Sequence, residues 1–311
     1  RLGIEGLEGD IWRKFTVRRL TIRDEKGVWL EATAVTVHWR YEELFQRRFH
    51  ADDISVGQLN LLRRPTLAPK EVDRGLPVSF LIERIRARVD MAPAFSYRPG
   101  SYRADGRVDV QRGGGTAVRL RADSLTHTGD FLAVQVNVGK TKEMMVRAEA
   151  REANGGALAG ALGLTPDRPF FLNASVNGTG SRGTFSLQAQ SGAVEAASGA
   201  GAWTPQGGSG RVRINLASSR LLSPFAHMLG DMADIELTGR KAASGLFQMQ
   251  GRIRAQNAAV DLAGEADFGR RVSGPNGLAL SASVVRMTPI IGFPEMGAGQ
   301  GRGVLRFDPK G

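Results

Sequence analysis

The sequence predicts an all-β chain: an elongated, curled antiparallel sheet folded into an open trough, with a few short helices. Three observations predict it. Apolar residues fall at alternate positions through nearly all of the 311 residues, the period of a strand with one greasy and one wet face. Glycine is abundant, at 40 residues, while aromatics make up only 7%, a balance that suits turn-rich β structure better than compact α/β. Helical spacing is confined to three short segments, which cannot roof about fifteen strands.

Along the chain, Phe15/Val17 and Leu20/Ile22 open the alternation. Leu30/Ala32/Ala34 then changes phase to Val35/Val37/Trp39, as a β-bulge allows. Arg40–Phe49 ("RYEELFQRRF") reads as a short helix with Leu44, Phe45 and Phe49 on one side. Arg63–Pro77 ("RRPTLAPKEVDRGLP") is the best linker, a loop between strand groups. Val78/Phe80/Ile82 changes phase again to Ile85/Ala87/Val89, and Val146/Ala148 closes the first half. Ala157–Leu164 is a weakly apolar turn or helix. Ser223–Gly230 is punctuated as a helix, with Ser223 as N-cap, Pro224 at N1 and Gly230 at the stop. Leu278/Leu280/Ala282/Val284 and Leu305/Phe307 end the series. Asp105-Gly106, Gly113-Gly114-Gly115, Asn154-Gly155, Asn177-Gly178 and Asn276-Gly277 read as turns. No clean domain boundary appears: residues 1–66 form a strand–helix–strand segment and 67–311 continue the same elongated domain.

Formal net charge is +11, and no basic run exceeds two residues. A diffuse basic balance suits lipid headgroups or nucleic acid, or simply a solvated outer face. There is no cysteine, so disulfides and thiolate-bound metals are excluded. No apolar run approaches the ~18 residues of a membrane span. The ends, at Arg1 and Lys310-Gly311, read as those of a piece of a longer protein, which leaves room for a signal or anchor upstream.

Enzyme motifs are missing. "GTGSRG" places Gly178, Gly180 and Gly183 in a dinucleotide-binding pattern, but the following "TFSLQAQ" is a strand and not the helix that would hold pyrophosphate. It therefore reads as a hairpin turn. His38, His50, His127 and His227 are widely separated and carry no metal-ligand spacing. Glu42-Glu43 and Asp52-Asp53 are adjacent acids whose side chains point apart, so they read as a solvated helix face and a turn. Aromatics do not interleave with basic residues as a nucleic-acid groove requires. Neither an enzyme nor a cofactor is expected.

What remains is the greasy face, which must be hidden. Its expected lining begins with Leu30, Val35, Val37, Trp39, Ile54, Val56, Leu59, Leu61, Phe80 and Ile82, and continues through Val108, Val110, Val118, Leu120, Val134, Val136 and Val138. In the second half it comprises Leu172, Val176, Phe185, Leu187, Val212, Ile214, Leu216, Ile235 and Leu237, then Phe247, Met249, Val260, Leu262, Leu278 and Leu280. Small neighbours such as Ala32, Ala87, Ala148, Ala189, Ala266 and Ala282 leave room beside them. At ~0.8 kcal/mol per CH₂, an acyl chain of about sixteen carbons would gain on the order of ten kcal/mol there before entropy costs. The alternative is a sandwich that fills itself.

The stretch Ile4–Pro65, "IEGLEGDIWRKFTVRRLTIRDEKGVWLEATAVTVHWRYEELFQRRFHADDISVGQLNLLRRP", resembles the opening of the TamB family of AsmA-like envelope proteins. The matching pieces are the I-x-G-L-x-G start at Ile4–Gly9, the segment Leu20–Leu30, Trp39, the short helix Tyr41–Phe49 and the closing Arg63–Pro65. Ala157–Gly192 and Leu221–Gly239 ("LLSPFAHMLGDMADIELTG") are similar to later family segments, and the likeness weakens from about Gly264. The resemblance implies a periplasmic β-taco that carries phospholipid from the inner to the outer membrane with a TamA-like outer-membrane partner. It also implies an N-terminal inner-membrane anchor lying outside these residues; no nucleic-acid partner is expected, given the aromatic pattern. The alternatives are a scaffold or chaperone for outer-membrane protein (autotransporter) assembly and a self-packed structural β-solenoid.

Overall fold

A computed structural model describes residues 1–66, 78–267, 270–286 and 298–307. The chain is all-β, 66% strand and 9% helix, in sheet that does not close on itself. It divides into two compact units, Arg1–Ser175 and Val176–Gly311. The division therefore falls at 175/176, whereas residues 1–66 sit inside the first unit. Most of the expected linker, residues 67–77, lies outside the described residues.

The first unit holds β1 (Leu2–Asp10), β2 (Lys14–Asp24), β3 (Gly27–Trp39), β4 (Arg48–Leu61), β5 (Ser79–Met91), β6 (Gly100–Val110), β7 (Thr116–Ser124), β8 (Phe131–Val138) and β9 (Glu143–Glu152). Each pairs with its sequence neighbour. All these pairs are antiparallel except β4–β5, which is parallel. That corrects the purely antiparallel expectation. Residues 62–78 separate the two strands, enough for the dozen-residue crossover that a parallel pair needs. β10 (Phe170–Thr179) carries the chain into the second unit. There β11 (Gly183–Ser191), β12 (Val194–Thr204), β13 (Gly207–Asn215), β14 (Met232–Lys241), β15 (Phe247–Ala255), β16 (Ala258–Asp267), β17 (Val272–Val284) and β18 (Gly299–Leu305) form an antiparallel meander.

Register turns the alternation into continuous rows. In the first unit one row runs Leu7, Val17, Val35, Val56, Ala87, Ala104, Ala122, Leu132, Ala150. The next runs Phe15, Val37, Ile54, Ile85, Gly106, Leu120, Val134, Ala148. The phase changes are real and aligned. Gly6, Arg18, Ala34 and Gly57 stand opposite one another at the points where β1, β2, β3 and β4 each skip a residue. Ala34 takes the left-handed conformation (φ 50°) and Gly6 likewise (φ 67°). Because these four strands slip at the same row, their apolar residues stay opposite one another on one face.

Several local expectations are corrected. Tyr41–Gln46 is a 3₁₀ helix that ends before Phe49. Leu44 and Phe45 are exposed, while Phe49 is the second residue of β4 and packs beside Trp39, so the three do not share a face. Asp105-Gly106 lies mid-strand in β6, paired to Arg121 and Leu120. Asn177-Gly178 lies within β10, and Asn276-Gly277 within a bulged stretch of β17 opposite Gly264–Ala266. Gly113–Gly115 does turn the chain between β6 and β7. "GTGSRG" is a hairpin, closed by Thr179 N–H donating to Arg182 O at 2.6 Å. The helix α3 (Ser223–Leu229) starts one residue earlier than its cap signal suggests. Its cap is Leu222, and the Ser223 hydroxyl donates to Arg220 O instead.

The first unit also carries two short helices, α1 (Pro93–Ser96) and α2 (Ala157–Ala161), which pack on each other, and a buried carboxylate ties the start of α2 to β6. Glu152 accepts from Tyr102 Oη (2.6 Å), Leu158 N (3.0 Å) and Ala159 N (2.8 Å). Burial first, and the Glu152 hydrogen bond second, push the Tyr102 phenol well above its ordinary pKa. Gly160 is required at the contact, since a Cβ there would lie 1.7 Å from the Ser96 carbonyl oxygen.

A second polar clamp holds the start of the linker. Arg63 donates to both carboxylate oxygens of Asp24 and to Gly27 O, and Thr66 N–H donates to Asp24 at 2.7 Å. The Arg63 hydrogen bond, then the Thr66 one, hold the Asp24 carboxyl well below its usual range. A lowered folded pKa contributes stability above the unfolded value of about 4 and loses it as pH falls below that. Thermal melts should thus show an acid-side loss that is reduced in Asp24→Asn. Identical acid profiles for both chains would refute the clamp.

Candidate functional site

The two faces of the second unit are chemically distinct. On one face, charges alternate across strands. Arg213 donates to Asp234 at 2.9 Å, Arg211 lies 3.4 Å from Glu236, and Arg254 lies 2.6 Å from Asp261. The Arg213 hydrogen bond keeps the Asp234 carboxyl below its ordinary pKa. These pairs are half-exposed and add little stability each, but they mark this face as the wet one.

The other face carries rows in which large apolar residues are interspersed with glycine. One runs Phe185, Gly201, Gly210, Leu237, Gly251, Leu262, Leu280, Gly303. Its neighbour runs Leu187, Gly199, Val212, Ile235, Ile253, Val260, Ala282, Gly301. The glycines let big side chains lie flat on the sheet. A Cβ on Gly201 would come within 2.3 Å of the Phe185 ring, and one on Gly210 within 3.1 Å. A Cβ on Gly183 would lie 2.4 Å from the Trp203 indole, and one on Gly239 2.8 Å from Met249 Sδ. Trp203 is pinned in this pose by Nε1 donating to Thr179 O at 3.0 Å.

Flat-lying rings leave space above them. A mostly apolar cavity of about 860 Å³ is floored by Phe185, Trp203, Gly208, Gly210, Val212, Ile235, Leu237, Phe247 and Met249. Ser181, Thr204, Ser209 and Asp267 supply its polar border. Leu237 remains 43% exposed, which an aliphatic side chain in a filled core would not be. The volume falls in the range of sites that enclose a ligand.

The first unit treats its greasy face differently. Val17, Ala32, Val35, Val37 and Ala51 form a buried cluster, covered by Phe15, Trp39, Phe49, Ile54, Val56, Leu59 and Ile82. Trp39 stacks on Phe49 (5.5 Å between centroids), Phe49 meets Phe80 (6.0 Å), and Trp39 Nε1 donates to Ile11 O at 2.8 Å. The expected lining residues Val35, Val37, Trp39, Ile54, Val56, Leu59, Phe80 and Ile82 are thus on the predicted face but pack on one another. Large aromatics collected at one end fill the space that alanines would have left. Leu30, Leu61, Val108, Val110, Val118, Leu120, Val134, Val136 and Val138 share that face and stay half-exposed.

In the second unit, Phe185, Leu187, Val212, Ile214, Ile235, Leu237, Phe247, Met249, Val260, Leu262, Leu278 and Leu280 all fall on the cavity side of the register. Met249 and Leu278 are buried in a small cluster with Ala266. Leu216 does not belong to the set: it sits buried in the 3₁₀ turn Leu216–Ser218 that follows β13. Leu172 and Val176 lie half-buried in β10. The glycines and Trp203 were missed in the sequence. Their signal was the i, i+2 spacing of Gly199/Gly201 and Gly208/Gly210, which puts bare backbone on one face.

One further polar cluster lies in the first unit. Buried His50 has Nδ1 2.6 Å from Glu43 Oε1 and Nε2 3.2 Å from Glu83 Oε1, and Asp52 is close enough to complete a cation-sized set with His50 and Glu83. Asp52 is already tied to Arg40, whose hydrogen bond lowers the Asp52 pKa. The cluster joins β4, β5 and the 3₁₀ helix as a hydrogen-bonded network. Among the described residues no helix is long and apolar enough to cross a membrane. Comparisons with protein-family models, curated proteins and solved structures find no match to the chain.

The cavity depends on the glycine floor. Gly210→Ala should lift the Phe185 ring by a few tenths of an ångström and lower stability by about 1 kcal/mol. Phe185→Leu in the same chain should restore the melting temperature, and an additive double mutant would show that ring and glycine do not touch.

Proposed function

We propose that this protein carries the acyl chains of phospholipids along its greasy sheet face, as a TamB-like bridge of the bacterial envelope, and that it is not an enzyme. The single observation that carries the reading is the cavity of about 860 Å³ over Phe185, Trp203, Ile235 and Leu237, built on glycines that keep bulky rings out of it. Hydrocarbon entering such a space exchanges water for apolar contact at ~0.8 kcal/mol per buried CH₂. Transport by sliding needs no covalent step and no cofactor. Headgroups remain in water at the strand ends, where a cation such as Lys241, paired across strands with Phe247, stands beside the apolar floor. Periplasmic placement, an inner-membrane anchor and a TamA-like partner belong to the same proposal and rest on the sequence resemblance.

The packed cluster around Val35 and Val37 favours a second reading for that region, a self-packed structural segment that does not itself conduct lipid. Mass spectrometry of lipids co-purified with the chain decides between them. Acyl lipids should accompany the wild type and be depleted in Val212→Asp, with the sheet still folded by circular dichroism. Val136→Asp tests the first unit in the same way. A chain free of lipid that instead crosslinks to outer-membrane clients through its strand edges would replace transport with the scaffold role.

A further inference from the structure

One end of the first unit carries large apolar side chains that neither the buried cluster nor the groove uses. The turn between β1 and β2 presents Ile11 and Trp12, 48% and 59% exposed, and the neighbouring 3₁₀ helix presents Leu44 and Phe45, 47% and 85% exposed. The two loops form one tip. Trp12 and Tyr41 meet edge to face at 5.4 Å, and Trp39 N–H donates to Arg13 O at 3.0 Å. Its backbone is fixed as well, because Trp12 N–H donates to Asp10 at 2.9 Å and Arg47 caps the 3₁₀ helix in a left-handed conformation (φ 59°). An exposed phenylalanine held out on an ordered loop is costly in water, since the protein's own core lies only a few residues away at Phe49.

The same tip carries an excess of cations, its exposed acids being Asp10, which accepts from Trp12 N–H, and Glu42. Arg13, Lys14 and Arg47 are exposed and form no ion pair among the described residues, whereas Arg40 and Arg48 answer Asp52 and Glu43. Tryptophan and phenylalanine flanked by free basic residues is the chemistry of a membrane interface. The rings enter the headgroup–acyl boundary while the cations meet anionic headgroups. We propose that this tip docks on an anionic lipid surface. The docking is separate from the groove and does not require that the groove carry lipid.

The test is co-sedimentation of the full 311-residue chain with vesicles of phosphatidylcholine alone or mixed equally with phosphatidylglycerol. The mixed vesicles should capture the chain and the neutral ones should capture it weakly, with capture falling as salt rises from about 0.05 to about 0.5 M. Phe45→Ser with Trp12→Ser should weaken capture roughly tenfold or more. Phe45→Ser alone serves if loss of the Trp12–Tyr41 contact unfolds the loop. Arg13→Gln with Arg47→Gln should abolish the preference for phosphatidylglycerol. Val212→Asp, which alters the groove and not the tip, should be captured like the wild type. Equal capture of wild type and tip variants, no capture by either vesicle, or loss of capture in Val212→Asp instead would overturn the proposal.

Discussion

A sheet with one greasy face survives only if every strand keeps the same side chains on the same side, and that constraint governs this molecule. A strand repeats every two residues, so a slip of one residue exchanges the faces completely. In the first four strands the slip occurs, and it occurs in all of them at once, along the row Gly6, Arg18, Ala34, Gly57. A lone bulge in β3 would have turned Thr33 and Glu31 toward valines on β4. Aligned bulges instead leave Val35 beside Val56 and Ala32 beside Leu59. The cost is local: Ala34 accepts a left-handed conformation that disfavours any side chain.

Given a preserved face, what fills it depends on side-chain size at particular places. In β2–β5, Phe15, Trp39, Phe49 and Phe80 collect near one end and roof the small residues between them. In β11–β16 the large residues face glycines, so rings lie against backbone and the volume above remains open. The two units thus share an alternation pattern yet differ in whether hydrocarbon from elsewhere has room. Packing density explains the difference. A ring stacked on another side chain fills the layer, whereas a ring laid on a glycine lowers the floor.

Polar side chains near the strand ends act as fasteners. Glu152 binds the first turn of α2 to Tyr102, and Asp24 holds Arg63 and Thr66. His50 gathers Glu43 and Glu83 from two other elements. Glu152 and Asp24 join segments that the ladder hydrogen bonds do not connect, whereas the His50–Glu83 contact reinforces the β4–β5 pair. The exposed ring of Phe45 has no such fastener. Among the described residues it is the most exposed aromatic ring of the first unit, ahead of Trp12 and Tyr97.

The sequence by itself determined the all-β class, the greasy face and most of its members, because alternation is a local property of each strand. It also exposed the phase change at Ala34 and the hairpin in "GTGSRG", where neighbouring residues alone set the geometry. Only the tertiary structure decided which strands pair in parallel. It alone showed that Asp105-Gly106 and Asn276-Gly277 sit inside strands and that Leu216 leaves the sheet. Only it could show that the face around Val37 is filled while the face around Ile235 is open. Filling is a matter of which side chains meet across strands far apart in the chain, and glycines at Gly201 and Gly210 mean nothing until Phe185 lies on them.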